Sequence, residues 1–167
     1  MISKSRETKK IRFMTLIVSI GIPFLIGGIT SLLIPNISSI YGDLVKPNFS
    51  PPSIVFPVVW TILYILMGIA SYKVYVLRYD NIDVSSALFV YAIQLLLNFL
   101  WTFIFFGFKL YGLAFLELVV LVLFVMLTIK RFYKKAGKKA ALLLLPYLIW
   151  IIYAGVLNFF IWMLNEM

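Results

Sequence analysis

The sequence predicts an all-α integral membrane protein, a single bundle of five transmembrane helices, on three observations. Of its 167 residues 63% are hydrophobic and only 13% charged, whereas soluble domains are apolar over about half their length. Five stretches, 13–34, 54–77, 84–108, 110–129 and 140–164, reach the roughly 20 residues that a helix needs to cross the hydrocarbon core. With the connecting loops placed alternately on the two faces, 13 of the 15 basic residues fall on one side. The short alternating strands of a membrane barrel are not seen.

That basic side gathers Lys4, Arg6, Lys9, Lys10 and Arg12 ahead of the first span, Lys73 and Arg78 after the second, and Lys130, Arg131, Lys134, Lys135, Lys138 and Lys139 after the fourth. The other side holds Lys46 and Lys109 alone. Basic loops stay in the cytoplasm, so the N-terminus is expected inside and the C-terminus, with Glu166, outside. The net charge of +9 is then a topology signal. No nucleic-acid partner is expected, because no recognition fold accompanies the basic clusters.

The first span could be taken for a secretory signal, but its apolar run is too long, and Leu32-Leu33-Ile34-Pro35 offers no small-residue cleavage site. It carries Ser19, Pro23, Gly27 and Ser31 at four-residue spacing. Small residues so spaced admit a close helix neighbour and Pro23 bends the rod, so packing inside the bundle is expected. The loop 35–53 is long for a bundle connection and rich in Pro, Asn and Ser. It is either a lid over a binding site or a connector, and Tyr41, Lys46 and Phe49 favour the lid. The remaining loops are short, which makes consecutive spans antiparallel neighbours.

The second span is entered through Pro47, Pro51, Pro52 and Pro57, ahead of a stretch with no charge over residues 47–72. Proline lacks a backbone donor and fixes φ, so Pro51-Pro52 ends the loop and Pro57 occupies the first helical turn. Phe56, Trp60, Tyr64, Met67 and Ser71 then share one face. That aromatic, partly polar face either lines a pocket or packs against other helices. In the third span Tyr91, Gln94, Asn98 and Thr102 form one polar stripe, which turns inward because lipid offers no hydrogen-bond partner. It serves as interhelical bonding, worth about 0.6–2 kcal/mol per contact, or reads the polar edge of a flat apolar ligand beside Trp101.

Glu117 is the single charge within the fourth span. It marks a proton-coupled site or a carboxyl bonded across the bundle near its outer end. The fifth span follows Pro146 and aligns Tyr147, Trp150, Ala154, Asn158 and Asn165. Ala154 leaves room beside Trp150. Cysteine and histidine are both absent, which removes disulfides, thiol catalysis, iron–sulfur clusters and histidine-held haem or zinc. No metal and no cofactor is expected, and no acid–base constellation suits hydrolysis. A tetrapyrrole bound here would be held by its ring face and its carboxylates.

Three motifs in order resemble the TspO/MBR family, the tryptophan-rich sensory proteins of bacteria and the translocator proteins, or peripheral-type benzodiazepine receptors, of mitochondria. The first is Lys46-Pro47-Asn48-Phe49-Ser50-Pro51-Pro52 with Phe56, Trp60, Leu63-Tyr64 and Met67-Gly68, where Phe49 stands in place of the family's tryptophan. The second is Gln94-Leu95, Asn98 and Trp101 followed by Phe105-Phe106-Gly107. The third is Leu145-Pro146-Tyr147-Leu148, Trp150, Ala154 and Leu157-Asn158.

The resemblance implies a five-helix protein of a bacterial cell membrane, a homodimer, with a pocket under the first loop. Carried over by motif, the pocket comprises Tyr41, Pro51, Trp60, Asn98, Trp150, Ala154 and Asn158. The reading of the spans adds Phe49, Tyr64, Gln94, Trp101 and Tyr147. The implied ligand is a porphyrin or related tetrapyrrole, with benzodiazepine-type molecules as further ligands, and the implied role that of carrier, sensor or scavenger. Light- and oxygen-dependent breakdown of protoporphyrin, with Trp60 and Trp150 as redox residues, is the enzymatic alternative. A small proton-coupled exporter centred on Glu117 is a third. Sterol binding transfers poorly, since the family's sterol motif needs a basic residue late in the fifth span and none follows Lys139.

Overall fold

The computed structural model describes residues 2–167, with side chains from residue 9 onward. Lys4 and Arg6 of the charge asymmetry lie outside the described side chains. Among the described residues seven α-helices follow one another: α1 (Ile2–Leu33), α2 (Ile37–Asp43), α3 (Val55–Tyr75), α4 (Ser85–Thr102), α5 (Tyr111–Ala136), α6 (Lys138–Leu142) and α7 (Leu145–Asn165). A 3₁₀ turn, Val76–Asp80, extends α3, and a π-helical turn, Phe103–Gly107, extends α4. There is no strand among the described residues. Five rods, α1, α3, α4, α5 and α6 with α7, are long and apolar enough to cross a membrane. The all-helical, five-span expectation is met.

Three boundaries differ from the sequence expectation. The fourth span, expected over 110–129, continues as helix to Ala136. Hydropathy ends where the lysines begin, but Lys and Arg are good helix formers and carry α5 past the apolar run. The first helix likewise begins at Ile2 rather than at 13. Within the loop 35–53 lies α2, too short and too polar on its outer side to register as a span.

Close backbone approach joins α1 to α3. A methyl group built on Gly68 would run into the backbone of Ile20, and one on Gly27 would lie 2.6 Å from the Tyr64 ring. The small-residue spacing of the first span therefore serves packing within the bundle, as its pattern predicts. At the centre α5 packs against α4, α7 and α3. At one end Gly137 adopts φ 79°, which a residue with a Cβ enters only with strain. It breaks α5 from α6 and turns α6 back against α3. This end, with Lys73, Lys138 and Lys139 around one cleft, is the lysine end.

The opposite end holds the loop 35–53 and is called the lid end after the role expected of that loop. Two residues at the close of α7 organise it. The Glu166 carboxylate accepts the Tyr111 and Gly112 N–H groups at 2.8 and 3.0 Å, capping the positive N-terminus of α5. Asn165 donates to the Val45 carbonyl at 2.9 Å and accepts the Val45 N–H at 3.1 Å.

Candidate functional site

Between α1, α3, α4 and α7, beneath α2, lies a cavity of 510 Å³. Its walls follow from where each helix carries its aromatic residues. Phe56, Trp60 and Tyr64 are successive turns of one face of α3, and all three line the cavity. Asn98, Trp101 and Thr102 line it from α4, Trp150 and Ala154 from α7, and Leu118 and Leu121 from α5. No charged side chain is among the described residues of the wall.

Each aromatic ring is fixed by a neighbour. Trp60 and Tyr64 lie tilted at 5.3 Å between centroids, and Phe24 of α1 meets Tyr64 edge-on at 5.5 Å. Phe56 is edge-on both to Trp150, at 5.9 Å, and to Tyr41, at 4.9 Å. The Trp101 indole N–H donates to the Asn158 Oδ1 at 3.1 Å. Its hydrogen-bonding need is thus met behind the wall, which leaves the ring available to the cavity. The π-helical turn that follows shifts register at Phe103–Gly107 and brings Phe106 to the wall; such turns are frequent at functional sites.

Over the lid end the loop is held by hydrogen bonds. Tyr41, 5% exposed, lines the cavity and donates its hydroxyl to the Pro51 carbonyl at 2.9 Å. Burial pushes the Tyr41 pKa above its ordinary value, and the Ser50 hydroxyl offsets part of that rise. The Lys46 ammonium donates to the carbonyls of Tyr41, Gly42 and Leu44 at 2.5, 2.9 and 3.1 Å. It thereby ties off the C-terminus of α2, where a cation is favoured. Tyr153 donates to the Phe49 carbonyl at 3.0 Å.

Seven of the twelve residues singled out in the sequence meet at this cavity: Tyr41, Trp60, Tyr64, Asn98, Trp101, Trp150 and Ala154. The other five stand elsewhere. Phe49 is 46% exposed and packs edge-on against Phe160 at 5.5 Å. Pro51 acts through its carbonyl on Tyr41. Asn158 lies behind Trp101, its Nδ2 donating to the Tyr111 carbonyl at 2.8 Å. Gln94 and Tyr147 are 1% and 0% exposed, and the Gln94 amide and Tyr147 hydroxyl have no partner among the described residues. Buried groups of this kind are completed by ordered water in folded proteins. Glu117 is half-buried beside Leu118, off the cavity wall, with both carboxylate oxygens unpartnered among the described residues.

Sequence reading missed the contribution of α1, from which Phe24, Thr30, Ser31 and Ile34 line the cavity. The signal was present in Gly27 and Ser31. A helix that is small and weakly polar on one face can pack there or leave a hollow there, and spacing alone does not distinguish the two.

Residues 19–163 match the TspO/MBR family. The chain belongs to that family. It is 39% identical over 155 residues to the tryptophan-rich protein TspO of Chlorobaculum tepidum, covering 92% of this chain and 98% of that one. Protein CrtK of Rhodobacter capsulatus is 41% identical over 125 residues, 75% of this chain and 78% of its own. The translocator protein of Ovis aries is 34% identical over 127 residues, 75% of each chain. The family match bears out the resemblance read from the three motifs. Five membrane-capable helices and bacterial relatives make this a multi-pass membrane protein of bacterial type.

Proposed function

We propose that this TspO/MBR protein binds a porphyrin or related tetrapyrrole in the aromatic cavity and acts as a carrier, sensor or scavenger of it. The observation that carries the reading is the wall itself. Trp60, Tyr64, Trp101 and Trp150 surround 510 Å³ with Asn98 as the amide among them. That volume lies within the roughly 300–1,000 Å³ of small-molecule sites, and the lining has their usual make-up of aromatic faces and a few polar groups. A flat conjugated ring gains from offset and edge-on contact with such faces. With no charged side chain on the wall and no histidine in the chain, the ring is held chiefly through its faces. Its carboxylates stay at the mouth, where Ser38 and Ser53 contribute hydroxyls. Titration of protoporphyrin in darkness tests this: saturable quenching of tryptophan fluorescence is expected, and quenching that rises linearly without a plateau would sink it.

A second reading rests on Trp60 and Trp150 both bordering the cavity. In that reading the light-excited ring gives one electron to oxygen, and the indole faces stabilise the ring radical cation until the superoxide so formed adds to it. Under this reading Trp60→Phe and Trp150→Phe each abolish light-dependent loss of protoporphyrin while dark binding persists. Equal bleaching by wild type, by the double phenylalanine variant and by empty micelles removes it.

For orientation, we propose that the lysine end faces the cytoplasm, as the loop charges favour. Single cysteines at Lys10 and Lys46 in this cysteine-free chain provide the check. An impermeant maleimide should reach the second and not the first in intact cells.

A further inference from the structure

The lysine end carries a second cleft, of 390 Å³, unrelated to the aromatic cavity. Lys73 reaches it from α3, and Lys138 and Lys139 from α6, which the Gly137 turn lays back against α3. Tyr72, Val76 and Leu77 form much of the remaining wall. Three other basic residues at this end are engaged elsewhere. Arg131 donates to the Ser86 carbonyl at 2.7 Å, Lys135 to the Asp83 carbonyl at 2.6 Å, and the Arg78 guanidinium lies over the Tyr75 ring at 5.5 Å. No hydrogen bond or ion pair engages Lys73, Lys138 or Lys139 among the described residues, and no carboxylate lines the cleft. The acids of the adjoining turn, Asp80 and Asp83, both stand outside the cleft, and Asp83 receives the Ser85 N–H at 2.9 Å.

Three like charges brought from two helices to one cleft repel one another, and no side chain in the cleft neutralises them. Charge alone would suit any anion. The apolar side of the cleft, Val76 and Leu77, narrows the choice, as does its position near the ends of the membrane-capable spans Val55–Asp80 and Tyr111–Ala136. A free phosphate has no use for such a surface, whereas the glycerol and first methylenes of a lipid do. Basic pockets at helix ends are the recurring form of anionic headgroup recognition. We infer that this cleft is a binding site for an anionic membrane phospholipid, with Lys73, Lys138 and Lys139 on the headgroup phosphate and Val76 and Leu77 against the lipid below it. The site neither needs nor uses the aromatic cavity.

Native mass spectrometry of the full chain, delipidated and then given phosphatidylglycerol or phosphatidylcholine of the same acyl chains, tests the site. Each lysine near an anionic headgroup contributes about a fivefold factor. The wild type should therefore retain phosphatidylglycerol at least tenfold better than phosphatidylcholine. The triple variant Lys73→Gln, Lys138→Gln, Lys139→Gln should lose that preference. A control triple, Lys10→Gln, Lys130→Gln, Lys134→Gln, removes the same charge outside the cleft and should keep it. Single Lys73→Gln and Lys134→Gln variants give the same contrast on a smaller scale if a triple variant fails to fold. Equal loss in the cleft and control variants would overturn the proposal, as would equal retention of the two lipids by wild type. Displacement of bound lipid by millimolar inorganic phosphate or glycerol phosphate would also overturn it, because the site would then be one for soluble phosphate.

Discussion

At the lysine end Ala70, Ala87 and Ala140 draw α3, α4 and α6 together until Val74, Phe132 and Leu144 are sealed at 0–1% exposure. At the lid end the same α3 and α4, with α7, carry Trp60, Trp101 and Trp150, and the rings stand around an open 510 Å³. Both ends are apolar, so hydrophobicity does not distinguish them. In a bilayer a buried side chain and a lipid-facing one meet equally apolar surroundings, and what remains to decide packing is fit. Alternating small and large residues interlock, whereas several large rings on facing helices hold them apart. The hollow thus follows from an arrangement of side-chain sizes, and the course of the loop above it from the hydrogen bonds that Tyr41, Lys46 and Asn165 impose.

The sharpest way to break the contrast is to hollow the solid end. Phe132→Ala should cost about 3 kcal/mol, the usual loss for a buried ring, read as a lowered unfolding midpoint in detergent. The ligand affinity of the protein that remains folded should not change. The reciprocal change fills the hollow end. Ala154→Trp should lower porphyrin affinity by about tenfold or more, or 1.4 kcal/mol, with the unfolding midpoint held or raised.

A smaller effect is expected at the lid. Tyr41→Phe removes the bond to Pro51, worth about 1 kcal/mol, and should speed ligand release about fivefold in stopped flow. The same hydroxyl predicts a pH dependence. Because its pKa is raised where the loop lies over the cavity, this arrangement is fully supported below the ordinary tyrosine pKa near 10. Support is lost as pH climbs from there through the raised value. Release from the wild type should accelerate over that range, and release from Tyr41→Phe should lack this component.

The smallest effect concerns the fold rather than the site. Glu166→Gln weakens the charged cap on α5 and should lower stability by about 0.5 kcal/mol, without altering binding.

The five spans were legible because apolar length is a one-dimensional property. Trp60, Tyr64, Asn98, Trp101, Trp150 and Ala154 were legible as a set because helical spacing puts each group on one face. Asn158 and Gln94 show where spacing fails. Both lie on the polar faces that the periodicity marks, yet Asn158 is taken up by Trp101 and Tyr111 and Gln94 sits in the core. A polar face in a membrane helix states only that the residue turns inward, and depth and partner come from the other helices. The α1 wall was hidden for the converse reason, since Gly27 and Ser31, one turn apart, both border the opening and Gly27 packs against Tyr64 as well.

The proposal that the aromatic wall holds a flat tetrapyrrole is put at risk by titrating protoporphyrin in darkness into wild type and into the Trp60→Ala, Trp150→Ala variant, with binding followed by porphyrin absorbance. Loss of about 1 kcal/mol per ring contact predicts an affinity about 30-fold weaker in the variant. Unchanged affinity in a folded double alanine variant would contradict the account.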